Sequence, residues 1–438
     1  MLSSAYRRTV RGMRDLLPDE AEKLRFIEET AREMAKLYGY REVITPIVEH
    51  YELLAAKIGE ENRKRMYVFQ DLGGRRVALR PEFTASVARL VATKMVSLPK
   101  PLRLFSIGSL YRYDEPQFGR YREFWQANYE LFGSSNPEAD AEILILTDNL
   151  LRRIDLQSYH LKINHVGILR GILDKEGIVE EQQNNVMQLL DKKQWQEALR
   201  LVLEAGGSQR CLDSLRVLFG IRGKEPADVT QEIEEVVADY PGALEAVKNL
   251  GEVLGLVEES GAEVDFYVEA GFARGLEYYT GMIFEIFAPD IDIALGGGGR
   301  YDKLIELFGG GSVPAVGVAP GIDRMSLALD KQEPAARKSA KERVFVIPVG
   351  EDMVGEAFRV SSMLRKEGFR TELETMGRSV SRALSDADRR GITHAVMVGP
   401  REMREGGVVL RDMKKRSQET VSLEELSERI RVTHQLTD

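Results

Sequence analysis

From Leu17 to Tyr40 the apolar positions recur at helical spacing, with Leu24, Ile27, Ala31, Met34 and Tyr38 on one face. Pro18 suits the first helical position, Asp19 and Glu20 suit the positive end of the dipole, and Gly39 marks the stop. The period then changes. Strand character appears at REVITPIVEH (41–50), which carries Pro46, and again at RMYVFQD (65–71), RRVALRP (75–81) and PLRLFSIG (101–108). SLYRYDEPQFGRYREFWQANYELF, Ser109 to Phe132, reads as two aromatic-rich strands around a polar loop punctuated by Pro116 and Gly119. Runs of strands with flanking helices predict a mainly antiparallel sheet, not a βαβ repeat.

From about His165 to Gly261 the pattern is helical throughout, as in ILDKEGIVEEQQNNVMQLLDKKQWQEALRLVLEA, and predicts an all-helical insertion. Strand character returns at EVDFYVEAGFARGLEYYTGMIFEIFAP (263–289). The polar stretch DKQEPAARKSAKE, Asp330 to Glu342, reads as a linker. Beyond it, RVFVIPVG, FRTELET and THAVMVG read as strands alternating with helices at MVGEAFRVSSMLRKEG and SVSRALSDADRRG, a small α/β domain with some parallel pairing. The expected division is a sheet domain (1–164 and 262–330), the insertion (165–261), a linker (331–342) and a terminal domain (343–438).

Composition narrows the classes. A chain of 438 residues exceeds one ordinary domain. With 43% hydrophobic and 30% charged residues the balance is globular. No apolar run reaches the roughly 18 residues that span a bilayer. The N-terminal MLSSAYRRTVRGMRDLL has Ser and Arg, as organelle transit peptides do, but no apolar core of a secretory signal. One cysteine, Cys211, and five histidines with a single close pair, His160 and His165, predict neither a disulfide framework nor a side-chain metal cluster. The formal charge of −9 is uneven: Lys341 to Asp438 carry 18 basic and 17 acidic residues, leaving the body at −10. A near-neutral tail behind an acidic body suits a local basic face.

The charged positions within the strands suggest a site. Arg112, Arg120 and Arg122 stand among the aromatics of the 109–132 stretch. ALRPEFTASVARL puts Glu82 and Thr84 at a strand-to-helix junction, where capping is the alternative use of both. RGLEYYTG places Arg274 in a glycine-containing strand segment before Tyr278 and Tyr279, and ALGGGGRYDKL sets four glycines before Arg300. In AVGVAPGIDRMSLAL a helix begins near Ile322 with Arg324 in its first turn, where a cation opposes the dipole unless a bound polyphosphate answers it. Neither G-x-G-x-x-G nor a Gly-Lys-Ser/Thr phosphate loop occurs. Arginines converging on a polyanion fit phosphate, because the guanidinium fork binds two oxygens, and neighbouring aromatics can stack on a base.

Three segments together resemble the motifs of class II aminoacyl-tRNA synthetases: the helix and strand ending at Pro46, RYDEPQFGRYREF, and GVAPGIDR. Within that class the resemblance is to histidyl-tRNA synthetases, through LRPEFT, Gln126 to Glu130, RGLEYYTG and GGGGRYD, and it covers nearly the whole chain. It implies an α+β fold, with a catalytic antiparallel sheet flanked by helices and a C-terminal anticodon-binding domain. It also implies a cytoplasmic homodimer that activates histidine with ATP and Mg2+ and charges tRNA(His). By resemblance Arg112 holds the α-phosphate and substrate carboxylate, Arg324 the γ-phosphate, and Arg274 the carboxylate and α-phosphate. Glu82, Thr84, Gln126, Glu130, Tyr278 and Tyr279 match the histidine pocket. Arg120 and Phe124 join Arg112 and Arg324 on ATP.

Four residues depart from the family's pattern: Asp114 and Glu115, where Glu then Arg is common, Asn128 for Gly, and Glu277 for Asp. Asn128 brings a side chain to the expected pocket floor. The alternative reading is an inactive histidine sensor similar to the regulatory subunit of ATP phosphoribosyltransferase, which normally lacks the C-terminal domain and part of the RGLEYYTG signature. Arg378, Arg382, Arg389 and Arg390, on or near one helix of the C-terminal domain, suit an RNA backbone.

Overall fold

Leu102–Tyr111 and Glu123–Phe132 pair antiparallel along their whole length, and the alternation of the second strand explains its mixed composition. Ala127, Tyr129 and Leu131 point into the core, while Gln126, Asn128 and Glu130 share the opposite face. Tyr129 is fully buried, donates to the Ala31 carbonyl at 2.8 Å, and packs edge-on to Tyr40. Burial of such a ring contributes about 1.5–3 kcal/mol. The helix it meets, Pro18–Leu37, buries Leu24, Ile27, Ala31 and Met34 as its periodicity requires.

This computed structural model describes residues 7–289, 291–332 and 343–435. The chain divides into two compact units, Met1–Pro334 and Ala335–Asp438. Most of the expected linker, 333–342, lies outside the described residues.

The first unit is built on a nine-stranded sheet. From one edge its strands are Arg41–Glu42, Leu102–Tyr111, Glu123–Phe132, Ala315–Pro320, Ile291–Arg300, Met282–Ala288, His160–His165, Phe266–Glu269 and Arg222–Gly223. The pairings are antiparallel except at Arg41–Glu42 with Leu102–Tyr111 and at His160–His165 with Phe266–Glu269. Pro46 divides the segment expected as one strand: Arg41–Glu42 joins the large sheet, and Val48–His50 joins a separate three-stranded sheet with Val68–Gln70 and Arg76–Leu79. Proline supplies no ladder donor and restricts the residue before it, so the chain changes sheets there.

The insertion contains helices from Val166–Lys175 to Pro241–Glu259, but it is not wholly helical. Arg222–Gly223 adds an edge strand beside Phe266–Glu269. Ile168, Leu169 and Leu250 share one hydrophobic core with Ile163 and Phe284 of the sheet, so the insertion packs onto it. Arg300 is structural. Its guanidinium donates to buried Asp140 at 3.0 Å and to the Ser134 carbonyl at 2.9 Å. Removing one partner of such a buried pair costs about 3–5 kcal/mol.

The second unit has strands ordered Arg370–Leu373, Arg343–Pro348, His394–Val398, Gly407–Asp412 and Ser417–Ser422, the first three parallel. The closing hairpin and the helix Leu426–Gln435 extend the α/β pattern read from the sequence. Of the four arginines assigned to RNA backbone, Arg378 is tied to Glu374 and Asp386, and Arg390 to Glu372 and Asp386. Arg382 and Arg389 are exposed, with Arg389 3.6 Å from Asp386. Carboxylates spaced along the same helix and strand therefore neutralise much of the expected basic face.

Candidate active site

The helix Thr84–Lys94, the central hairpin, the loop before Met282 and the helix Ile322–Lys331 bring the selected residues together. Glu82, Thr84, Gln126, Glu130, Tyr278, Tyr279, Arg112, Arg274 and Arg324 all line one cavity of about 120 Å³. Arg120 and Phe124 line an adjoining cavity of about 50 Å³ that also contacts Arg112 and Arg324. Arg122 stands apart: its guanidinium donates to the Asp114 carbonyl at 3.0 Å and stacks on Tyr113, which fastens the loop.

Glu130 is 1% exposed, and its Oε1 accepts from the Thr84 hydroxyl at 2.7 Å and the Asn128 amide at 3.0 Å. Its Oε2 has no partner. Burial pushes its pKa up to about 8, helped by the charge of Glu82 and opposed by Asn128 and Thr84. No arginine is among the partners of Glu130. Thr84, the first helical residue after the N-cap Phe83, thus spends its hydroxyl on Glu130. Glu82 accepts from the Tyr278 hydroxyl at 3.1 Å, and its Oε1 is likewise unpartnered. Burial raises the Glu82 carboxyl, while Arg112 and Tyr278 hold it down. Burial also raises Tyr278 and Tyr279, keeping both as phenols able to donate.

Among the described residues no carboxylate lies within ion-pair range of Arg112, Arg120, Arg274 or Arg324. Arg112 donates to the Pro81 carbonyl at 2.9 Å and lies over Phe124. Arg324 donates to the Ala294 carbonyl at 2.7 Å. Burial, with Arg112 and Arg120 nearby, pushes the Arg324 pKa down to about 10. Cations that depress one another, with Asp114, Glu82 and Glu285 near but none directly paired, form a site for an anion. Arg274 donates to the Phe284 carbonyl at 3.0 Å. Burial opposes its charge, but Tyr279, Glu285, Tyr278 and Asp191 hold its pKa raised.

Arg274 does not lie on a strand, as expected from RGLEYYTG, but on the connection between Phe266–Glu269 and Met282–Ala288. Close approach of the site side chains to the sheet requires glycine on two neighbouring strands: a Cβ at Gly297 of Ile291–Arg300 would lie 1.9 Å from Arg274 Nη1, and one at Gly317 of Ala315–Pro320 1.9 Å from Glu130 Oε2. The departures also find partners. Asp114 lies 3.5 Å from Arg65, Glu115 pairs with Arg11 at 2.7 Å, and Gln188 donates to Glu277 at 3.4 Å. Asn128, named only as a departure, holds Glu130. Its place two residues along the same strand face is the signal that marks it. Glu285 and Tyr301 also line the cavity without having been singled out in the sequence, where Glu285 reads as a polar position within the apolar strand Met282–Ala288 and Tyr301 as the neighbour of Arg300.

Residues 12–325 match the family described as histidyl-tRNA synthetase, and residues 343–433 match the anticodon binding domain. The histidine–tRNA ligase of Methanocaldococcus jannaschii is 40% identical over 420 residues, covering 95% of this chain and 98% of its own. That of Saccharolobus solfataricus is 40% identical over 432 residues, covering 97% and 99%. The solved histidyl-tRNA synthetase of a Nostoc species superposes with a TM-score of 0.83 at 22% identity, covering 97% of this chain and 99% of its own, a likeness of fold.

Proposed function

The chain belongs to the histidyl-tRNA synthetase family, and from that premise we propose how its residues divide the joining of histidine to tRNA(His). It is an aminoacyl-tRNA ligase. The carboxylate of histidine attacks the α-phosphorus of ATP, the bond to the β-phosphate oxygen breaks, and pyrophosphate leaves. The 3′-terminal hydroxyl of the tRNA then attacks the adenylate carbonyl, losing its proton as AMP departs. The observation that carries this reading is the lining of one cavity by the carboxylates Glu82 and Glu130, each with an unpartnered oxygen, and by three arginines without ion-pair partners.

In this reading Glu130 takes a ring N–H of histidine and Glu82 its α-ammonium, with Thr84 and Gln126 bordering the pocket and a tyrosine hydroxyl donating to the second ring nitrogen. Gln126 is held by its donation to the Ala319 carbonyl at 3.0 Å. Arg112 and Arg274 stabilise charge developing on the α-phosphate, and Arg324 binds the outer phosphates. Phe124 gives a face for adenine, with Arg120 beside it. Among the described residues no cluster of three or more His, Cys, Asp or Glu could hold a metal. Magnesium enters with ATP, bound to the substrate phosphates and its own waters with at most one or two carboxylates.

The histidine-sensor alternative is set aside, because ligases 40% identical to the chain match 95% or more of it, terminal domain included. No helix among the described residues is long and apolar enough to cross a membrane. We assign the enzyme to the cytoplasm, where ATP and tRNA are available, and to a homodimer. Exposed Ile44, Ile47, Val48, Val68 and Phe69, on and before the three-stranded sheet, support a covered apolar face.

The test is histidine-dependent exchange of pyrophosphate into ATP, followed by charging of tRNA(His). Exchange supported equally by other amino acids, or absent with histidine, would overturn the proposal.

A further inference from the structure

Arg274 lies outside any strand, so its backbone must be fixed by something other than the sheet ladder. One side of the loop rests on the segment around Gly59: a Cβ there would lie 3.1 Å from the Gly275 carbonyl oxygen. The Glu277 amide donates to the Lys57 carbonyl at 3.2 Å. The other side faces the helix Glu180–Asp191 of the insertion. A Cβ built at Gly275 would lie 2.8 Å from Asp191 Oδ2, and apart from its chain neighbours only Asp191 comes within 4 Å of that point. Gln188, one turn earlier, donates to Glu277 at 3.4 Å. Ion pairs of Lys57 with Glu180 at 2.8 Å and Lys192 with Glu61 at 2.7 Å tie this helix to the 57–61 segment.

Asp191 is the last residue of its helix, where the dipole favours a cation. Its charge acts instead on Arg274, beyond ion-pair range, with which it lines a cavity of about 180 Å³ that also contains Glu82, Glu285 and Arg112. We propose that Asp191 is a positioning residue: contributed by the insertion, it fixes the backbone at Gly275 and faces the Arg274 guanidinium. The insertion thereby completes the histidine-activating site, in addition to any contact with tRNA. This rests on the reading that Arg274 acts in activation.

The experiment measures pyrophosphate exchange in the full chain. Asp191→Ala should lower kcat by about 10²-fold, the scale of a small misplacement, with little change in the KM for histidine. Asp191→Asn, which keeps an oxygen toward Gly275, should recover part of that rate. Gly275→Ala should also slow exchange, but adding it to Asp191→Ala should cost nothing further, because the side chain it meets is gone. A normal rate in Asp191→Ala overturns the proposal, as does a loss confined to KM or independent, multiplying losses in the double variant. Arg274→Ala, run alongside, separates the two readings: near-normal exchange in that variant removes Arg274 itself from the mechanism.

Discussion

Glu130 combines a charge-bearing group, near-complete burial and one unpartnered oxygen. An unmet hydrogen bond to a charged group is worth about 1.5–3 kcal/mol. Glu130→Ala should therefore raise the KM for histidine about 10- to 100-fold, and that for ATP far less. Equal changes in both constants, measured with the other substrate saturating, would show that the imidazole is read elsewhere. The same residue sets a pH dependence in the empty enzyme. Its folded pKa of about 8 lies above the ordinary 4.5, so between these values the folded state holds a proton that the unfolded state has lost. Stability then falls as pH rises across that window, by at most about 1.4 kcal/mol per pH unit from this group, and levels off above it. Glu130→Gln removes the titration. Its stability relative to wild type should improve from pH 5 to pH 9 in urea melts, and a constant difference would contradict the shift.

At the scale of elements, the glycine strand Ile291–Arg300 lets the sheet backbone and the site side chains occupy the same narrow layer. Gly297 pairs with Glu285 on one neighbour and Ala319 on the other. A methyl at Gly297 meets both Arg274 Nη1 and the Phe284 carbonyl, the latter at 2.7 Å. Gly297→Ala should cost about 1–3 kcal/mol by overpacking and slow pyrophosphate exchange as well. Thermal melts and exchange rates on one preparation check both, and an active, fully stable variant would mean that the loop yields without consequence. The arginines also separate at this scale. Arg112 and Arg324 donate to backbone carbonyls and still border the cavity, whereas Arg122 and Arg300 are absorbed by structure.

At the scale of the molecule, the residues assigned to activation all belong to the unit Met1–Pro334. A fragment should therefore activate histidine but charge tRNA poorly. Its end matters: the Gln332 side chain accepts from the Gln157 and Ser158 amides, each at 3.0 Å, so a cut at Asp330 removes a tie that a cut after Pro334 keeps. Fragment 1–334 should retain exchange at near the full-length rate and sediment as a dimer. Charging equal to that of the full chain would remove the terminal domain from tRNA binding, and a monomer would remove the apolar face as the interface.

The sequence by itself determined the elements whose signal is local: the helix from Pro18, the aromatic hairpin, the α/β alternation after Arg343, and the motifs that carry the family. Those signals survive because periodicity, caps and glycine positions act within a few residues. Tertiary structure decided what depends on approach between distant segments. At Pro46 the chain passes from one sheet to another only because both sheets exist to receive it. Arg300 and Arg274 each follow or adjoin glycines in sequence, yet one finds buried Asp140 and the other the cavity. Glu285 and Asp191 acquire their places only when a sheet strand and an insertion helix meet around the same loop. A charge is read from the chain, but whether another charge neutralises it is set by the three-dimensional distance between them.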